Sequence, residues 1–561
     1  MINRMLSRIF SGEFWASFAN FKVAAATLVI LALLTISIMS ARMGMDYGTH
    51  PDEYFMAQGL EHSVDDLVAM PRAYIYNGVY FLIGFAALAP ELAEFISESF
   101  NQVVKKPTIP FDLRKYPKIQ EMQAKLRETV NNYDFKLRLR GFFILISSVS
   151  IVAVFFVSFQ VGRSYWESLL ASGLLALSWE VNYHSRHIAI DNTLMLFAVA
   201  LFVCLFSALR SRSPLQRVSW EFLAAVCAGL ALGTKLTGVF LFVPLFVGVV
   251  LSSLRHIGWR FVFYMPFLVI VALSATFLTT PGLFLDPVRV VNTYFLEAGS
   301  YFSDRGSLYP YSIVGFGAHV FANLDYLFSV VFSRYAPISI PLSCAAIIGI
   351  YDYARRNTPQ FVVIASFVGV YFLFISSPRL MQARNLMTLV PFLALFMARG
   401  IVVLYSIRWA RPFSQAAIVL FLTVSAGVNS LWLFSSAATV FPRSAESEIE
   451  NLRLYIKARP DWNFVFSPEI KSALSAGTIP DMVKAGASSP YCVLFYREVN
   501  FPTRNYTGIQ ANIDGYYTAV LSSMEVNYDY YPTWTGRNSN WRILILPLEK
   551  SRKMGFAKCD A

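Results

Sequence analysis

Residues 46–54 read DYGTHPDEY, three carboxylates and a histidine set between glycine and proline. A carboxylate in such a place can take a proton from a hydroxyl nucleophile or ligate a hard cation. Asp46, Asp52 and Glu53 are the candidates, and Pro51 restrains the backbone just ahead of Asp52. The plainer role of the three is a solvated turn. Further reactive types recur along the chain: Glu180, then His184, Arg186, His187 and Asp191 in YHSRHIAIDN, and Lys235 in GTKLTG. Arg72, Asp286, Arg379 and Arg384 complete the set. Acids that move protons, together with cations that hold a phosphate, are the parts of a group-transfer site. Asp191 also fits a second role, the N-cap of the apolar run that follows it. Each Lys or Arg has the ordinary alternative of anchoring a helix at a membrane edge. His50 has no neighbours at metal-ligand spacing.

The elements that carry these residues are hydrophobic. Of 561 residues, 56% are hydrophobic, 16% aromatic and 15% charged, more apolar surface than a soluble domain can hide. Runs near the ~20 apolar residues that cross a bilayer fall at 23–41, 141–162, 192–209, 261–280, 361–376, 387–405 and 413–434. Weaker runs fall at 165–181, 220–233, 239–254 and 337–351. About eleven transmembrane helices are expected, making a polytopic α-helical membrane protein. The first run lacks a cleavage site and reads as an anchor rather than a signal peptide.

Charge sets the orientation. One series of short loops carries Arg163, Arg210, Arg212, Arg217, Arg255, Arg260, Arg355, Arg356, Arg408 and Arg411; the alternate series holds Arg186, Lys235, Arg379 and Arg384. The richer series faces the cytoplasm together with the N-terminal 1–22 segment. The 23–434 region is then the membrane domain, with external loops at 42–140 and 281–320 and an external soluble domain at 435–561. Within the first loop, AYIYNGVYFLIGFAALAP belongs to a helix over 73–95 lying in the outer interface. The tail changes composition, and its alternating runs at 463–467, 491–496 and 541–546 predict a small α/β domain. Cys492 and Cys559 lie in this tail and form one candidate disulfide.

Charged groups gather at the external ends of the spans and not at mid-bilayer, where an ion-coupled transporter would place them. Such a site suits a substrate with a lipid tail and a charged head. The net charge of +12 fits anionic lipid and a phosphate donor, and no nucleic-acid module is present in the sequence.

HPDEY after the first run, YHSRHIAIDN, GTKLTGVFLFVPL and SSPRLMQARNLMTLVPFLALFMARG occur in that order on one expected face. Together they resemble the superfamily of protein O-mannosyltransferases and aminoarabinose transferases, membrane glycosyltransferases of the GT-C fold. The resemblance covers about residues 20–405. It implies a sugar donor on a polyprenyl phosphate, a hydroxyl acceptor on a glycan, lipid or protein, and a site outside the cytoplasmic membrane or in the ER lumen. Lipopolysaccharide and other envelope glycans are the acceptors of its bacterial members.

By this resemblance Asp52 matches the catalytic carboxylate, with Glu53 beside it and Asp46 as its rival, and Asp191 matches a second-loop acid. Arg384 matches an arginine before the tenth span and is the first choice for phosphate, followed by Lys235 and Arg72. Arg186, His187 and Tyr76 are further substrate contacts. Arg72 lacks the prolines that follow the corresponding lysine in relatives, which blurs that correspondence. No cofactor is required. Some GT-C enzymes hold a divalent cation between loop carboxylates, this branch mostly does without one, and metal is left unassigned. A polyprenyl-linked-sugar flippase would carry inverted repeats with matching broken helices, and neither is evident. A non-catalytic scaffold would not need Asp52, Asp191 and Arg384 intact.

Overall fold

The computed structural model describes residues 21–42, 51–66, 78–105, 115–185, 187–302, 315–329, 331–333, 335–378, 383–406, 411–440, 463–466, 490–499 and 539–547. The chain divides into two units, one of Met1–Met45 with Thr49–Ser430 and one of Asp46–Gly48 with Leu431–Ala561.

The first unit is helical. Helix α1 (Phe21–Arg42) is followed by α2 (Pro51–Asp66), α3 (Gly78–Ala87), α4 (Ala89–Lys105) and α5 (Pro117–Asn131). Next come α6 (Tyr133–Gly162), α7 (Tyr165–Ala176), α8 (Trp179–Ser185), α9 (Ile190–Arg210), α10 (Pro214–Leu232) and α11 (Phe242–Ile257). The remainder are α12 (Phe261–Thr279), α13 (Gly282–Leu285), α14 (Pro287–Phe302), α15 (Phe316–Ser329), α16 (Ala336–Arg356), α17 (Thr358–Ile375), α18 (Val390–Tyr405) and α19 (Arg411–Val440). Eight segments among the described residues are long and apolar enough to cross a membrane; they coincide with α6, α9, α10, α11, α12, α16, α17 and α18 with their adjoining 3-10 turns. Helices α1 and α19 cover two more of the expected runs. The 165–181 run is instead two helices, α7 and α8, interrupted at Leu177 and Ser178.

Close packing follows from small residues. Where α16 crosses α18, a Cβ at Gly349 would sit 1.9 Å from the Phe396 carbonyl oxygen, and one at Gly400 would sit 1.7 Å from that of Ala345. Nothing larger than glycine lets these backbones approach so closely. Large side chains such as Phe263, Ile270 and Leu278 on α12 stay exposed, as a lipid-facing surface requires.

The expected single helix over 73–95 is two. Helices α3 and α4 meet at Leu88 with an 81° bend. Pro90 explains the break: a continuous helix would need its missing N–H to bond Ala86 and would drive its ring against that carbonyl. Helix α3 docks on the bundle end, with the Val79 N–H donating to the Gly233 carbonyl at 2.9 Å. One apolar cluster joins Met56 and Leu60 of α2, Tyr80 and Phe81 of α3, Phe135, Leu139 and Phe143 of α6, Ile188 ahead of α9 and Ile190, its first residue. It therefore holds α2 beside the start of α9.

In the second unit, β1 (Asn463–Phe466) pairs parallel with β2 (Pro490–Val499), and β2 pairs antiparallel with β3 (Ser539–Pro547). The strands fall on the three alternating runs of the tail. The Cys492 side chain and Cys559 lie outside the described residues, and so does the candidate disulfide.

Candidate active site

Asp191 is the second residue of α9 and is wholly buried. The N-cap expectation for it is overturned. Ala189 occupies that position without a side-chain cap, and the Asp191 carboxylate turns to a cation instead. Its Oδ1 accepts from Lys235 Nζ at 2.8 Å, and its Oδ2 faces Arg384 Nε at 3.9 Å.

Lys235 sits between α10 and the 3-10 turn Leu236–Leu241, in extended backbone. The GTKLTG sequence explains its fixed place. A Cβ on Gly238 would lie 2.3 Å from the Ala231 carbonyl carbon and oxygen, so this turn closes tightly on the end of α10 only with glycine. The Gly238 N–H then bonds the Lys235 carbonyl at 2.8 Å. Lys235 Nζ also donates to Asn385 Oδ1 at 2.7 Å. Asn385 and Arg384 belong to the 3-10 turn Ala383–Leu389 ahead of α18, and Tyr371 of α17 donates to the Asn385 carbonyl at 3.0 Å.

Four residues from three separate segments thus meet at one end of the bundle. Two cations face one carboxylate, a local charge of +1. Lys235 carries three N–H donors and uses two on Asp191 and Asn385. The Arg384–Asp191 separation exceeds a hydrogen bond. The lysine and arginine side chains are 15% and 21% exposed, desolvated enough to strengthen their hold yet still reachable.

Asp52 and Glu53 are the second and third residues of α2, which begins at Pro51. The expected turn is therefore a helix start, where proline is favoured first and acids complement the positive end. Position 52 shares a helix face with Met56 and Leu60, the α2 residues in the cluster that contains Ile188 and Ile190. The Asp52 and Glu53 side chains, together with Asp46, Arg72, Tyr76, Arg186 and Arg379, lie outside the described residues. His187 is half-buried four residues before Asp191.

Two groups that sequence reasoning left unassigned belong to this end. Asn385 is legible only as the neighbour of Arg384. On α8, His184 Nε2 lies 2.8 Å from Glu180 Oε1, the Tyr326 hydroxyl of α15 bonds Glu180 Oε2, and all three side chains are buried. Among the described residues no group of three or more His, Cys, Asp or Glu is placed to hold a metal ion. Asp191 already faces two cations, so a divalent ion there would have to displace them.

Residues 112–284, from just before α5 to α13, match the family model described as dolichyl-phosphate-mannose-protein mannosyltransferase. Over the whole chain the fold is that of ArnT from Cupriavidus metallidurans in the apo state, at a TM-score of 0.51 and 12% identity, covering 93% of this chain and 98% of that one. The chain is a membrane protein with the fold of ArnT, and part of it matches a mannosyltransferase family model. Two further structures resemble this chain. One is ArnT from the same organism bound to undecaprenyl phosphate, at TM-score 0.48, 12% identity and coverage of 93% and 98%. The other is the archaeal oligosaccharyltransferase AglB from Archaeoglobus fulgidus in complex with an inhibitory peptide and a dolichol-phosphate, at TM-score 0.48 and 11% identity. It covers 76% of this chain and 57% of AglB. No curated protein matches the sequence.

Proposed function

We propose that the Asp191–Lys235–Arg384–Asn385 site holds the phosphate of a polyprenyl-phosphate sugar while the sugar passes to a hydroxyl acceptor. The observation that carries this reading is the +1 charge built from two half-screened cations around one buried carboxylate. A polyprenyl phosphosugar is a diester with one negative charge. As the bond to the anomeric carbon breaks, the departing polyprenyl phosphate gains charge. Fixed cations therefore bind the leaving group more tightly in the transition state than in the ground state, which is what accelerates the step. Asp191 holds both cations in place and keeps the site from over-binding the product.

Asp52 is the base. Its carboxylate takes the proton of the acceptor hydroxyl as that oxygen attacks the anomeric carbon opposite the phosphate, so the sugar is transferred with inversion. Glu53 and Asp46 stand beside it as alternates, and Arg72, Arg186, His187 and Tyr76 contribute further substrate contacts. The site opens to the exterior of the cytoplasmic membrane. This orientation is supported by the arginine-rich loops at the far ends of the same helices and by the few cations at the site end. The acceptor is an envelope glycan, such as lipopolysaccharide, a lipid or a protein, and 435–561 is the external soluble domain.

Transfer of labelled sugar from synthetic polyprenyl phosphate by purified enzyme in nanodiscs tests the reading. Asp52→Asn keeps size and shape, so turnover falls about 10²-fold or more while the protein stays folded. Lys235→Ala and Arg384→Ala weaken donor binding. Near-normal turnover in Asp52→Asn beside a dead Asp46→Asn would move the base to Asp46. Near-normal turnover in both would end the assignment of this stretch as the base.

A further inference from the structure

The sequence 319–326, HVFANLDY, places His319, Asn323 and Tyr326 at i, i+4 and i+7, one face of α15. Phe321 and Leu324, on other faces, are exposed, whereas these three polar side chains are 1%, 2% and 0% exposed. Buried polar groups in an apolar setting are tolerated only with partners, and where the partners lie shows what the helix is fastened to.

His319 Nδ1 donates to the Pro378 carbonyl at 2.7 Å, and Asn323 Nδ2 donates to Ser376 Oγ at 2.9 Å. Burial holds the His319 imidazole below the usual histidine range, against the pull of the carbonyl, which leaves a neutral ring with its proton on Nδ1. Ser376 and Pro378 end α17 and begin the connection to Arg384. Tyr326 at the other end of the stripe bonds Glu180, which holds His184, and the His184 carbonyl accepts from Asn192 Nδ2 at 2.9 Å. Asn192 is the residue after Asp191. One helix face is therefore tied to both arms of the anion site, one bearing Arg384 and the other Asp191. No direct hydrogen bond sets the 3.9 Å between those two side chains, so what holds the two arms bears on the spacing.

We infer that α15 is a strut that fixes the width of the phosphate site through His319, Asn323 and Tyr326. The three touch neither substrate nor reacting atoms; they are positioning residues. The inference rests on the reading of that site as the phosphate site.

Binding of a fluorescent polyprenyl phosphate to the full-length enzyme in nanodiscs tests it, read beside the thermal unfolding midpoint. His319→Ala and Tyr326→Phe each remove one hydrogen bond, so affinity drops about 3- to 10-fold. His319→Asn presents an amide N–H where Nδ1 stood and restores affinity. In an Arg384→Ala background His319→Ala adds no further loss, because the two act on one contact. A loss from His319→Ala that is equal in both backgrounds, or failure of His319→Asn to rescue, would reduce α15 to a general packing element. Should Arg384→Ala itself leave binding unchanged, the phosphate site is misassigned and the strut falls with it. If Arg384→Ala weakens binding while His319→Ala and Tyr326→Phe do not, the strut alone is wrong.

Discussion

Two buried ionic clusters lie towards opposite ends of α18, and their difference separates two kinds of ionic site. At the end away from the active site, Arg399 of α18 donates to Glu167 Oε2 of α7 at 2.8 Å and to Asp352 of α16 at 2.7 Å. Arg356 pairs with Asp352 at 2.8 Å, the Tyr353 hydroxyl bonds Glu167, and the Arg399 guanidinium lies 5.6 Å from the centre of the Tyr353 ring. Two carboxylates meet two guanidiniums, the local charge is zero, and each contact is at hydrogen-bond distance. At the Asp191 end the described residues, two cations and one carboxylate, leave a charge of +1 and a 3.9 Å gap between Arg384 and Asp191. A closed cluster ties three helices together. On the proposed reading, the open one receives an anion.

The largest expected effect is on the closed cluster. Arg399→Ala strands Glu167, wholly buried, and Asp352, nearly so, beside a single remaining guanidinium. Breaking a buried pair by removing one partner costs about 3–5 kcal/mol, because the surviving charge stays desolvated. The variant should lose thermal stability and yield of folded protein, and Glu167→Leu combined with Arg399→Met should recover much of it, since apolar replacement of both partners removes the stranded charge. Unchanged unfolding with impaired sugar transfer would erase the distinction between the two clusters.

The open cluster was largely legible in the sequence, and the closed one was not. Asp191, Lys235 and Arg384 each stand in a motif, and all three are polar residues at the ends of apolar runs. The Lys235–Asn385 bond joins residues 150 apart in sequence, a contact only the fold can supply. Arg356 reads from the sequence as a topology signal, although it also braces Asp352. Glu167 stands three residues after the N-cap Ser164, whose hydroxyl accepts its backbone N–H at 3.3 Å. Its carboxylate leaves the cap for Arg399, a choice that tertiary packing makes. The break between α7 and α8 was hidden for a similar reason: hydropathy registers an apolar run and not the Asn182 side chain, which bonds back to the Ala176 and Ser178 carbonyls where the helix stops. The α15 stripe was in plain sight as HVFANLDY, but without its partners it resembles the solvated face of a loop helix.

A middle-sized effect sharpens what the open cluster is for. Arg384→Lys keeps the charge and loses the planar fork that grips a phosphate through two N–H groups. Since Arg384 Nε is 3.9 Å from Asp191, the fold forfeits no hydrogen bond between these two side chains. The donor Michaelis constant should therefore rise about tenfold, on the order of 1.4 kcal/mol, with the unfolding midpoint unchanged. A fall in stability matching the loss of binding would make Arg384 a brace like Arg399.

The smallest effect comes from ion pairs that are neither buried nor aimed at substrate. Lys118 of α5 pairs with Glu98 of α4 at 2.7 Å, shorter than either contact at Asp191, yet the lysine side chain is 56% exposed and the glutamate 22%. Distance alone would rank this pair above Lys235–Asp191. Solvation reverses the ranking: in water the attraction is screened, and ordering two long side chains offsets most of it. Lys118→Ala should change stability by no more than about 0.5 kcal/mol, and that difference should vanish as salt shortens the Debye length to ~3 Å near 1 M. The Arg399→Ala penalty should persist at the same salt, because little solvent reaches Glu167. Parallel salt titrations of the two unfolding transitions decide the matter. A Lys118→Ala loss that is large and salt-independent would mean that burial does not separate these clusters, and the contrast between the two ends of the bundle would have to rest on charge balance alone.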